Sequence, residues 1–157
     1  MYNCFDVSKE IINLASKEGY PMPPMKLLKL AYIAQGYYLG FYDKPLFQNE
    51  IQAWKYGPVI PDLYHVTKRY GRRNVDPFVL DIYTKNELSE ADKHFVSLVW
   101  NTYKHNDGIE LSALTHQEGS PWSTVYEDGV FHKSINNEVI KDYYKQLISQ
   151  RGASTNK

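Results

Sequence analysis

The chain has 157 residues, 43% hydrophobic and 23% charged, with 18 basic and 18 acidic side chains for a formal net charge of zero. That is ordinary globular composition at the length of one domain, about two-thirds of whose unfolded surface folding would bury, so disorder is excluded. The lack of net positive charge argues against a surface built to neutralise many phosphates, and a lone cysteine, Cys4, excludes an intramolecular disulfide and a multi-cysteine metal cage.

In chain order, Asp6 is placed to cap a first helix running to about Lys17, with Val7, Ile11, Leu14 and Ala15 on one face. Asp6, Lys9 and Glu10 also interrupt any signal-peptide-like apolar run. Gly19 and the prolines at 21, 23 and 24 stop this helix. The second helix, about 25–42, carries Leu27, Leu30, Ala31, Ala34, Tyr38 and Phe41 at helical spacing, and Leu28 and Tyr32 widen the stripe. A helix apolar over so wide an arc is expected at the centre of a bundle. It is too short and too polar to span a bilayer, so no membrane partner is expected and a cytoplasmic location is.

From Glu50 to Trp54 polar and apolar residues alternate, which predicts a strand, with Phe78 to Tyr83 as its expected partner. Gly57-Pro58 then turns the chain. Pro61 suits the first turn of a third helix, which runs to about Tyr70 with Gly71 as a left-handed cap. Ser89 and Asp92 read as a capping box for a helix carrying Phe95, Val96, Val99, Trp100 and Tyr103, broken by Gly108. Leu111 and Leu114 mark a short fifth helix. Ser120-Pro121-Trp122 reads as a cap, a first-turn proline and an anchor side chain, and the last helix covers about 136–150. The expected fold is therefore mainly α. It is a compact bundle of about six to seven helices around the 25–42 helix, with a small two-stranded β element. One domain is expected over residues 1–150, with a polar tail at 151–157.

Catalytic signatures are scarce. The five histidines include no His-Glu-x-x-His, and His116-Gln117-Glu118 is only the first half of a zinc deaminase signature, whose cysteine half a single Cys4 cannot supply. No Gly-x-Ser-x-Gly, Walker or dinucleotide-binding glycine motif occurs. No cofactor or metal is expected, and Cys4, far in sequence from any histidine, reads as a plain thiol. His116 with Glu118 is the one acid–base pair to weigh, against a plainer role for His116 in orienting a loop. Fourteen tyrosines against six phenylalanines instead supply half-wet surface of the kind that protein interfaces use. The balanced charge leaves room for self-association.

The ordered fragments resemble one known family. They are Met25-Lys26-Leu27-Leu28-Lys29-Leu30-Ala31-Tyr32, Ala53-Trp54 with Gly57-Pro58-Val59, Leu63-Tyr64, and Leu88-Ser89. Leu114-Thr115-His116 with Glu118, Pro121-Trp122, and a last helix with Ile140 and Tyr143-Tyr144 complete the set. In this order they are similar to the Panacea antitoxin domain, also described as GepA-like phage-associated or SocA-like proteins, from about Val7 to Leu147. The resemblance implies an antitoxin that binds and neutralises a cognate protein toxin encoded by the adjacent gene, or an adaptor that delivers it to a protease. Family members often carry a DNA-binding module as well, for which 157 residues leave no expected room.

Trp54 and Trp122 flank tight turns, so both are expected to pin loops to the core rather than to bind. Two surfaces are expected to meet a partner. One is a polar stripe of the second helix, Lys26, Lys29 and Tyr32, beside Lys55, Tyr56 and His116. The other is a basic corner at Arg69, Arg72 and Arg73, with Lys68 next to it.

Overall fold

A computed structural model describes residues 1–155 of the backbone, with side chains to Arg151. It contains eight α-helices and three short strands among those residues. In chain order these are α1 (Cys4–Glu18), α2 (Pro24–Tyr42), β1 (Gln52–Trp54), β2 (Gly57–Val59), α3 (Pro61–Thr67), α4 (Phe78–Asp81), α5 (Glu90–Tyr103), α6 (Gly108–Thr115), α7 (Pro121–Val125), β3 (Lys133–Ser134) and α8 (Asn137–Thr155). The architecture is mainly α, as expected. Residues 156 and 157, and the side chains from 152 onward, lie outside the described residues, and the expected 151–157 tail falls on them in part.

The central helix is α2. It begins on Pro24, whose missing N–H costs nothing in the first turn, and nearly every residue from Leu27 to Gly40 is buried. Helices α1, α5, α6 and α8 pack around it. Against α8 the approach is unusually close. A Cβ on Gly36 would lie 2.2 Å from the Tyr144 ring, and one on Gly40 would lie 2.8 Å from Ile148 Cδ1. Glycine at both positions lets the α2 backbone serve as the floor for the Tyr144 ring. Tyr37 and Tyr32 meet that ring edge-on at 4.8 and 6.3 Å.

Several local expectations change once the chain is folded. The cap of α1 is Asn3, and Asp6 sits three residues on as its capping-box partner, accepting from Asn3 N at 3.0 Å. Its other oxygen accepts from Lys85 N and Asn86 N, so Asp6 also ties down a distant loop. Ser89 caps α5, but Asp92 does not close the box. Its carboxylate accepts from Tyr2 and Tyr38 at 2.8 and 3.2 Å, and Ser89 N donates to Tyr2 Oη instead. Gly108 opens α6 rather than merely breaking α5. A Cβ there would sit 2.9 Å from Met25 Cβ, while Asp107 and Glu110 form the capping box.

The β element has order β2-β1-β3, all antiparallel, with Gln52 opposite Val59 and Ser134. Its expected second strand, Phe78 to Tyr83, is mostly helix α4. Asp76 Oδ1 accepts from Phe78 N and turns the chain at Pro77, after which Leu80 is buried while Phe78 and Ile82, in the same apparent alternation, are 75% and 80% exposed. Strand β3 came without a signal, being two exposed residues, Lys133 and Ser134.

Replacing Gly36 by Ala should gain about 1 kcal/mol of helix propensity. It must also displace a ring that is almost wholly buried. Overpacking of this kind costs about 1–3 kcal/mol, so G36A is expected to lose stability in urea denaturation. Adding Tyr144→Ala should then cost less than Y144A alone, because the two groups contend for one space.

Candidate partner-binding site

The hairpin β1–β2 is held from three directions by side chains distant in sequence. From below, Lys29 Nζ on α2 donates to Pro58 O at 2.8 Å. From one side, Ser112 Oγ on α6 donates to Tyr56 O at 2.6 Å. From behind, Trp122 Nε1 donates to Trp54 O at 2.5 Å, with Tyr126 stacked on the indole at 4.5 Å and His116 meeting it edge-on at 5.3 Å. Gly57 takes φ +121°, which side-chain-bearing residues rarely adopt. Its missing Cβ would lie 3.0 Å from Lys29 Nζ and 3.5 Å from Thr115 Oγ1 and His116 Cβ. The fragments Trp54, Gly57-Pro58-Val59, Leu114-Thr115-His116 and Pro121-Trp122 are thus one constellation, whose product is a fixed turn presenting Lys55 and Tyr56. Tyr56 is 62% exposed, and Lys55 Nζ lies 5.5 Å from its ring centre.

Beside the hairpin lies a cleft of about 340 Å³ between the start of α2, the sheet and α3. Leu28, Val59 and Pro24 supply apolar wall. Trp54 and Tyr64 pack edge-on at 4.9 Å, and Lys68 Nζ lies 6.0 Å from the Tyr64 ring centre. Lys29 and Lys55 complete the positive lining.

The expected polar stripe on α2 is a correction. Lys26, Lys29 and Tyr32 are 4%, 3% and 1% exposed, because α2 is covered all round and has no solvent face at these positions. Lys26 Nζ donates to Lys104 O at 2.6 Å and sits 5.4 Å from the Tyr20 and Trp100 ring centres. Desolvation lowers its pKa from the ordinary lysine value. The same cause brings Lys29 down to about 7. Tyr32 keeps its hydroxyl in the core without a hydrogen-bond partner.

The remaining candidates do reach the surface. Arg69, Arg72 and Arg73 are exposed on the turn after α3; Arg73 donates to Arg69 O, and both Arg69 and Arg73 lie over the Tyr70 ring. His116 is half-buried, with Nδ1 bonded to Ser112 O, and Glu118 is exposed with no hydrogen bond to it among the described residues. The structure therefore does not bring His116 and Glu118 together as an acid–base pair. Cys4 is wholly buried, not at a loose terminus, and burial pushes its thiol up and away from the reactive thiolate. No group of three or more His, Cys, Asp or Glu is placed to hold a metal among the described residues, nor is any helix there long and apolar enough to cross a membrane. Ser112 went unnoticed in the sequence, although a serine between Leu111 and Leu114 on a buried face implies an acceptor to be found.

Comparison with known proteins gives a family match over residues 27–123, to the model described as Antitoxin SocA-like, Panacea domain. The matched span contains α2 from Leu27 onward, the hairpin, most of the cleft lining and Trp122. A curated relative, Antitoxin SocA of Caulobacter vibrioides (strain NA1000 / CB15N), is 24% identical over 155 residues, covering 88% of this chain and 80% of that protein. No solved structure matches.

Two outcomes follow from this geometry. A lysine whose folded pKa is depressed leaves the unfolded chain binding more protons between about pH 7 and 10.5, so stability should rise with pH across that window. Chemical denaturation at several pH values should show that rise flattened in Lys29→Met. Trp122→Phe removes one hydrogen bond to Trp54 O and is expected to cost about 1–2 kcal/mol. Hydrogen exchange should show faster opening at residues 52–59 while α1 and α5 stay protected.

Proposed function

The chain belongs to the SocA-like antitoxin family built on the Panacea domain, and from that premise we propose that it neutralises a cognate protein toxin by binding it directly. The observation that carries the reading is the match over residues 27–123, which takes in most of the central helix and the three side chains, Lys29, Ser112 and Trp122, that bond carbonyls of the hairpin. Direct binding requires a rigid surface match and no reacting groups. An interface of standard size buries about 1,600 Å² in total around a few aromatic and Arg anchors, within reach of a domain of this size. Preorganisation reduces the ordering cost of association, and a turn tied down by Lys29, Ser112 and Trp122 is preorganised.

We place the contact on the exposed face carrying Lys55 and Tyr56, with the corner at Arg69, Arg72 and Arg73 steering the encounter. The toxin is taken to be the product of the adjacent gene, met in the cytoplasm. Delivery of the toxin to a protease is the alternative, and a hydrolase using His116 and Glu118 has no geometry in its favour.

Co-expression with the neighbouring gene and pull-down of the complex test this reading; absent growth rescue and absent complex would sink it. A toxin half-life shortened by the protein would mark the adaptor instead. Tyr56→Ala is expected to raise the dissociation rate about tenfold or more, as loss of a central aromatic does. Charge reversal at Arg69, Arg72 and Arg73 should instead slow association about tenfold and reduce its salt dependence.

A further inference from the structure

We infer that the cleft beside the hairpin receives an apolar segment of the partner protein that carries a carboxylate, the acid meeting the lysines and the flanking side chains meeting the walls. This rests on the antitoxin reading and names the chemistry of the partner. Three observations carry it. The lining contains Lys29, Lys55 and Lys68 and no carboxylate. Among the described residues none of these three forms an ion pair, and in this they resemble Lys17, Lys26, Lys44 and Lys85 rather than Lys9, Lys93, Lys104, Lys133, Lys141 and Lys145. Instead, Lys55 and Lys68 rest against the faces of Tyr56 and Tyr64, and Lys29 has a single carbonyl, Pro58 O, for an ammonium with three donors. One buried and two exposed lysines thus line the cleft with no carboxylate opposite them among the described residues, and an incoming carboxylate supplies one.

The walls decide between a protein and other anions. Leu28, Val59 and Pro24 offer nothing to a phosphate, which would be held by clustered N–H groups, but they accommodate Leu- or Phe-sized side chains on either side of an acid. Trp54 and Tyr64 pack edge-on against each other, and the Trp54 indole N–H donates to Gln52 Oε1, so the pair is not an open platform for stacked bases. The volume, about 340 Å³, lies at the small end of ligand clefts, which run from about 300 to 1,000 Å³. It fits one short segment rather than a broad surface.

The test titrates the 15N-labelled full chain with acetyl-Leu-Phe-Asp-Leu-Phe-amide and with the same peptide bearing Asn for Asp, read by amide shifts. The acidic peptide is expected to move residues 54–59 and 64–68 and to bind at least tenfold more tightly than the Asn peptide. That advantage should vanish in Lys29→Met and in the doubly substituted Lys55→Ser, Lys68→Ser protein. The rim pair is exposed, so it keeps the test open should K29M not fold. Equal affinity for the two peptides, shifts centred elsewhere, or no binding at millimolar peptide would overturn the inference. Tighter occupation of the same amides by inorganic phosphate or a nucleotide would overturn it in favour of a phosphoryl ligand. Toxin co-expression separates the two levels. If the native chain rescues growth and the lysine variants rescue equally, the cleft assignment falls and the antitoxin reading stands. If the native chain does not rescue, the antitoxin reading falls, and the peptide titration still decides the chemistry of the cleft.

Discussion

Burial of α2 on every side is the constraint from which the rest of the molecule follows. A helix with no solvent face cannot leave a polar side chain to water, so each one on it must find a partner inside the protein. Lys26 reaches the carbonyl of Lys104 just past the end of α5. Lys29 reaches the carbonyl of Pro58 in the hairpin. Gln35 donates to Phe47 O and accepts from the amides of Leu46 and Phe47, which fixes the strand-like segment entering the sheet. Lys26, Lys29 and Gln35 thus each hold in place a segment outside the central helix.

The same constraint explains where the tyrosines go. Tyr32, Tyr37, Tyr38, Tyr103 and Tyr144 are buried, not gathered into an exposed interface. Around α2 there is room for wide rings but a need to place their hydroxyls. Tyr37 and Tyr103 share one hydrogen bond at 2.8 Å, and Tyr38 and Tyr2 converge on Asp92. Gly36 and Gly40 make the remaining space, letting α8 approach close enough for Tyr144 to lie on the backbone of α2. Tyr32 keeps its hydroxyl buried with no hydrogen-bond partner among the described residues.

The proposed binding surface is a by-product of core satisfaction. Lys29 is held on a rigid helix, so the turn it bonds is rigid too, and Lys55 and Tyr56 are offered to a partner with little left to order. The lysine is itself strained electrostatically, since desolvation brings it near pH 7 with one carbonyl to bond.

The mainly α class, the central place of α2 and the first-turn prolines of α3 and α7 were legible in the sequence, because helical periodicity and cap chemistry are local properties. The family fragments were legible as well, and their order alone indicated an antitoxin-like domain. What lay beyond reach was everything set by contacts distant in sequence. Strand β3 has no pattern because it forms only where Gln52 and Ala53 offer it an edge. Asp92 looked like a cap partner until two tyrosines distant in sequence, Tyr2 ahead of α1 and Tyr38 on α2, claimed its carboxylate. Lys26, Lys29 and Tyr32 looked like a surface stripe because a charged residue on a helix ordinarily faces water. Only the packing of α5, α6 and α8 around α2 turned that stripe inward, and converted two apparent binding residues into the supports that hold the binding surface still.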